Sequence, residues 1–271
     1  MEKVDQKGIV LFLEKWKEFS ERTSERFKQH PDFKKHSEDS YRNYLGGPII
    51  HNVKIRLTRD ELFESELFQK ISEIYTCLDR VHIASDITLI RKGKITPSIT
   101  DHSLKRKNKV LRLRFEYFLT ELYIVEQRIK AFLGWIENKY NKSNDTLLKK
   151  KISQVVADNG KTRVELFKQV KAIRHSHTHE TLNDDHDLEM LDHLASLIFL
   201  LSSDIKSDEV IRRSLLVYSF DYNQKLREVK RKHKQIYEQF YELLTVYFNG
   251  MLELVFSVVL DGDGKIIYPF K

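Results

Sequence analysis

Leu111, Phe115, Phe118, Leu122, Val125, Ile129, Phe132 and Ile136 recur in alternating steps of four and three. That spacing returns to one side of an α-helix throughout, and the two-residue period of a strand cannot produce it. The segment is therefore expected to be one unbroken helix over about residues 105–140. A single apolar stripe of this length has to be buried against other helices, so the feature selects a helical bundle.

The rest of the chain supplies the partners. Ile9, Phe12, Leu13, Trp16 and Phe19 mark a helix over 8–29. Thr58 and Glu61 have capping-box spacing and open a helix over 61–82, with Phe63, Leu67, Ile71, Ile74, Leu78 and Val81 on its apolar side. "NKSNDT" (141–146) holds capping residues for a shorter helix, expected to end at Asn159–Gly160. Near Thr162 another helix begins, carrying Val164, Phe167, Val170 and Ile173. Asn183, Asp184 and Asp185 suit the N-cap and first turn of a helix over 187–203, with Leu188, Leu191, Leu194, Ile198 and Leu201. A short helix after "SSDIKSDE" and a long one over about 220–257 complete the set. The long one has a seam of Tyr222, Leu226, Val229, His233, Ile236, Phe240, Leu243, Tyr247, Met251 and Leu254.

Minor β additions are expected at "IIHNVKIRL", around Lys92–Gly93, and as a hairpin in "VVLDGDGKIIYPFK". "DGDGK" (261–265) lacks the glutamate a calcium loop requires and reads as a turn. The fold class is all-α, a helical bundle with these additions. Residues 1–59 form an N-terminal helix and irregular segment, 60–205 a helical core, and 206–271 a long helix and hairpin packed on the same domain.

Composition agrees, with nine glycines and four prolines in 271 residues. The formal net charge of +7 suits a polyanion such as nucleic acid, or a solvated lysine-rich surface. The basic run "KLREVKRKHK" (225–234) carries the same two readings. Cys77 is the only cysteine, which excludes an intrachain disulfide and a cysteine-based zinc site; it is expected to be inert packing. "MEKVDQKG" lacks the order of a signal peptide, and even the longest purely apolar run is short, at "LIFLL" (197–201). A cytoplasmic protein without membrane contact is expected.

The unusual chemistry is in "KAIRHSHTHETLNDDHDLEML" (171–191). Five of the eleven histidines, at 175, 177, 179, 186 and 193, fall within nineteen positions. Three readings are open. His175 and His179 are four apart and would share a helix face as paired metal ligands do, with His186, Asp184 or Asp187 to add; Ser176 stands where HExxH needs glutamate. The segment could also be a solvated helix end without chemistry.

The third reading starts from Arg174-His175-Ser176-His177-Thr178-His179, an arginine, four intervening residues and a histidine. This resembles the R-x(4–6)-H signature of the HEPN superfamily, helical bundles that include many ribonucleases. The resemblance covers about residues 60–205. It implies a metal-independent endoribonuclease without cofactor, acting on RNA by 2′-hydroxyl attack. Arg174 and His179 would be catalytic, with His175, His177 and Glu180 as secondary candidates. It further implies a two-fold homodimer, an antitoxin or regulatory partner, and a role as toxin or antiviral abortive-infection effector. Silent members of the superfamily bind nucleotides or only dimerise, which is the alternative. A second match, Arg227 to His233, differs in context: His233 is in an apolar seam and Arg227 in a charged surface run.

Overall fold

The caps and stripes become six helices among the described residues. The computed structural model describes residues 6–29, 57–86, 101–179, 186–203 and 209–270. The helices are α1 (Lys7–Gln29), α2 (Arg59–Asp86), α3 (Asp101–Tyr140), α4 (Thr146–His179), α5 (His186–Ser203) and α6 (Glu209–Val259). The architecture is all-helical.

Local chemistry accounts for the starts. The Thr58 N–H donates to Glu61 Oε2 at 2.8 Å and the Glu61 N–H donates to Thr58 Oγ1 at 3.3 Å, the reciprocal capping box at the head of α2. Asp145 caps α4 by accepting from the N–H groups of Leu147 (2.8 Å) and Leu148 (3.0 Å). Every seam position named for α2 and α3 is buried.

Two expected breaks are absent. The helix ending at Asn159–Gly160 continues, so α4 is a single helix of 34 residues. Gly160 keeps a helical φ, and its neighbour Asn159 stands in a stripe with Leu148, Ile152, Phe167 and Val170, all buried. The Tyr247 hydroxyl donates to the Asn159 carbonyl at 3.0 Å, so packing holds the chain helical where glycine alone would end it. Likewise the short helix after "SSDIKSDE" and the long one are a single α6 of 51 residues. Neither proline nor glycine interrupts its first forty positions.

The terminal hairpin is reduced to a turn. One antiparallel bridge joins Leu260 to Ile266, with Gly264 at positive φ, and no strand occurs among the described residues. The "IIHNVKIRL" strand, apart from Leu57, the Lys92–Gly93 hairpin and the Asn183–Asp185 caps lie outside the described residues. α6 is the one described helix long and apolar enough, by length and composition, to cross a membrane; half of that stretch is buried within the protein.

The helices form two compact units built from separated segments. Among the described residues, the first takes 6–29, 57–73, 132–157 and 248–270. Phe63 is its aromatic centre, stacked on Trp135 (5.4 Å between centroids) and meeting Tyr140, Tyr268 and Phe270 edge-on. Arg22 pairs with Glu64 and Arg26 with Glu61, tying α1 to α2. The second unit comprises the described residues within 74–131 and 158–247. Its core joins Leu104 and Leu111 of α3, Leu188, Leu191 and Ile198 of α5, and Tyr222 and Val229 of α6. Cys77 is buried there.

Candidate functional site

The histidine segment lies between two well-anchored helices of the second unit. Upstream, α4 is held by a buried ion pair, Arg163 Nη1 to the Glu126 carboxylate of α3 at 3.0 Å. Downstream, the inner face of α5 is locked by a polar chain beside the apolar core. Asn108 donates to Asp192 at 2.8 Å, and the buried Tyr222 hydroxyl donates to Asn108 Oδ1 at 2.7 Å. Arg112 reaches the other Asp192 oxygen at 3.4 Å. An open cleft of about 540 Å³ borders this chain, lined by Lys105, Lys109, Arg112, Leu113, Glu116 and Asp192.

Arg174, His175, His177 and His179 occupy the last turns of α4, which ends at His179. Their backbone is described; their side chains and the whole of Glu180 lie outside the described residues. The helical register has a consequence. Five residues advance the direction by about 140° around the axis beyond a full turn, so positions 174 and 179 do not share a face. Position 174 aligns with 177 and 178, and position 175 with 179. The Arg174–His179 pair therefore spans two faces, whereas Arg174 and His177 share one.

Asp187, one of the extra ligands considered for a metal, is otherwise engaged. Lys225 pairs with it at 2.6 Å and Lys232 pairs with its second oxygen. Those two hydrogen bonds, Lys225 first, lower its pKa to about 2. His186 opens α5, and His193 is exposed on its outer side. Among the described residues no group of three or more histidine, cysteine or carboxylate side chains is placed to hold a metal ion.

The second arginine–histidine match is now placed by contacts. His233 is buried and stacks on Phe115 at 4.5 Å, with 10° between the rings. Arg227 is exposed and donates from Nε to the Asn223 carbonyl one turn back, at 3.2 Å. The two are fold and surface respectively, as their seam positions suggested.

Sequence reasoning missed the Asn108–Asp192–Tyr222 chain. An asparagine in the stripe of α3, three residues before Leu111, was its one available signal. No protein-family model matches this chain, and comparison with curated proteins and with solved structures returns no match.

Proposed function

We propose that this chain is a metal-independent endoribonuclease of the HEPN type, with its reactive residues on the last turns of α4. The observation that carries the reading is the position of Arg174-His175-Ser176-His177-Thr178-His179: the final six residues of a helix whose earlier turns are anchored in an all-helical bundle. A helix end of this kind leaves polar side chains where a ligand reaches them.

RNA cleavage without metal needs a base for the 2′-hydroxyl, an acid for the leaving 5′-oxygen, and a cation for the phosphorane. His179 has the intrinsic pKa for proton transfer near neutrality. Arg174 holds two phosphate oxygens with its planar fork. His175 and His177 share phosphate positioning or proton transfer, and Glu180 orients an imidazole. Products are a 2′,3′-cyclic phosphate and a 5′-hydroxyl.

The register of α4 gives a physical reason for a homodimer. Since 174 and 179 stand about 140° apart, two copies facing across a two-fold axis bring an arginine of one to a histidine of the other. In the cell the reading implies a cytoplasmic toxin or antiviral effector, held in check by an antitoxin or regulatory partner. Degradation of RNA by wild type in excess chelator, absent in His179→Ala, is the expected result; cleavage that survives the substitution rejects the assignment. The same register aligns His175 with His179 at metal-ligand spacing. Stoichiometric zinc in purified protein, with chelator abolishing activity, would favour that second reading.

A further inference from the structure

α3 and α6 meet along an aromatic seam in the second unit, where Phe115 stacks on His233 and Phe118 meets Tyr237 edge-on at 4.2 Å. Three cations lie on the two helices that form that seam. Lys107 and Arg114 are seven residues apart on α3, two turns along one face, and Lys230 is one turn before His233 on α6. All three are half-buried. Burial, then the charges of Lys107 and Arg114, hold the Lys230 ammonium below the usual lysine range.

Several other cations of the same two runs meet a carboxylate. Arg112 has Asp192, Lys225 and Lys232 share Asp187, and Lys234 has Glu238 at 3.5 Å. No carboxylate among the described residues pairs with Lys107, Arg114 or Lys230. Among the described residues, two enclosed polar atoms on the same two helices are left over. Arg114 Nη1 has no acceptor, and the hydroxyl of the buried Tyr237, close enough to feel the Arg114 charge, has no partner.

Leaving one such buried group unanswered costs roughly 1–3 kcal/mol, and more when it is charged. Mutual repulsion of three cations adds to that. One partner removes every deficit together: an anion with more than one charge and several acceptor oxygens. A carboxylate has a single charge and two oxygens. A phosphate group has three or four, tetrahedrally arranged, and accepts from guanidinium, ammonium and phenol alike.

We propose that Lys107, Arg114 and Lys230, backed by the Tyr237 hydroxyl, form a binding site for a phosphate group. The phosphate belongs either to a small phosphorylated molecule, whose monoester group carries the extra charge and oxygen by itself, or to an RNA backbone, whose singly charged diesters would have to present two successive phosphates. None of residues 174–180 takes part, so the site stands independently of the ribonuclease reading.

The test is thermal unfolding in chloride buffer at fixed ionic strength, titrated with inorganic phosphate, adenosine monophosphate or a short single-stranded RNA. The RNA arm uses His179→Ala protein so that the oligomer stays intact. Wild type is expected to gain stability with at least one ligand beyond matched chloride. Arg114→Gln and Lys230→Gln should each weaken that ligand by roughly tenfold or more. Lys234→Gln, on the same helix but paired with Glu238, should bind as wild type does. Ligand-free Lys230→Gln should melt no lower than wild type, because repulsion is relieved. A merely structural lysine would behave oppositely. Similar responses to inorganic phosphate and the mononucleotide identify the small-molecule source. Much tighter RNA binding, with a salt dependence that becomes shallower in Lys230→Gln, identifies the backbone. No stabilisation by any of the three ligands, or undiminished binding in the Lys107→Gln/Arg114→Gln/Lys230→Gln protein, overturns the proposal.

Discussion

Four residues test the choice between the two arginine–histidine matches. His179→Ala should remove most turnover, on the order of 10²–10⁴-fold, while RNA affinity stays nearly unchanged, because proton transfer acts in the transition state. Arg174→Lys keeps the charge but loses the fork, and should fail similarly in single-turnover cleavage. Arg227→Ala should leave cleavage intact, its guanidinium being exposed and donating to the Asn223 carbonyl of its own helix. His233→Gln should lower stability by about 1 kcal/mol through the lost stack on Phe115. An essential Arg227 with a dispensable Arg174 would reverse the assignment. Glycines give a second residue-scale test. A Cβ at Gly160 meets nothing within 4 Å, so Gly160→Ala should stabilise by about 0.5–1 kcal/mol in denaturant titration. At Gly8 a Cβ would strike the Asn249 carbonyl and come within 2.8 Å of the Glu253 nitrogen, so Gly8→Ala should destabilise by about 1–3 kcal/mol. Destabilisation by Gly160→Ala would contradict an unbroken α4.

At the scale of elements, two helix starts carry acid sensitivity. Glu61 in the first turn of α2 is held at a pKa of about 2, first by its hydrogen bond from Arg26 and then by the Thr58 cap, against 4.5 ordinarily. Asp187 at the start of α5 is held at about 2 by Lys225 and Lys232, against 3.8. Both folded-state values are depressed, so the stabilisation is fully present above the ordinary pKa and is lost as pH falls towards 2. Melting temperature should therefore drop steeply between pH 5 and pH 2 by way of these two sites. The Glu61→Gln/Asp187→Asn protein, already lower at pH 6, should show a shallower fall. Parallel curves for the two proteins would show that neither helix start contributes.

For the molecule as a whole, the surface available to a second copy lies away from the stripe of α3. That stripe, from Leu111 to Ile136, is buried within one chain. Large apolar side chains are exposed elsewhere: Val10, Leu13 and Trp16 on α1, and Leu216, Val217 and Phe220 on α6. The proposed composite site requires two copies regardless of which surface joins them. Sedimentation should show a dimer at micromolar concentration. A monomer retaining full cleavage would reject the composite site while leaving the single-chain assignments to the substitutions above.

Period and capping chemistry determined helix existence, because both act within a turn or two of chain. The stripes of α2 and α3 and the Thr58–Glu61 box were legible from residue spacing alone. So was the contrast between buried His233 and exposed Arg227. Packing decided where a helix passes a weak point. Asn159–Gly160 carries a stop signal locally, and the buried stripe on either side overrides it. Packing also chose between adjacent apolar residues, which point about 100° apart: Tyr237 over Ile236, Leu244 over Leu243, Val255 over Leu254. On α1 the same limit applies, since Phe12 is buried while Leu13 and Trp16 of its apolar side are exposed. The register of the histidine segment depended on that overridden stop, and hence on tertiary contacts. Charge followed the same rule. The runs at 105–114 and 225–234 read as uniformly basic, and only the packing of α3, α5 and α6 determined which cations meet a carboxylate and which meet one another, because Coulomb energy depends on distances that sequence does not contain.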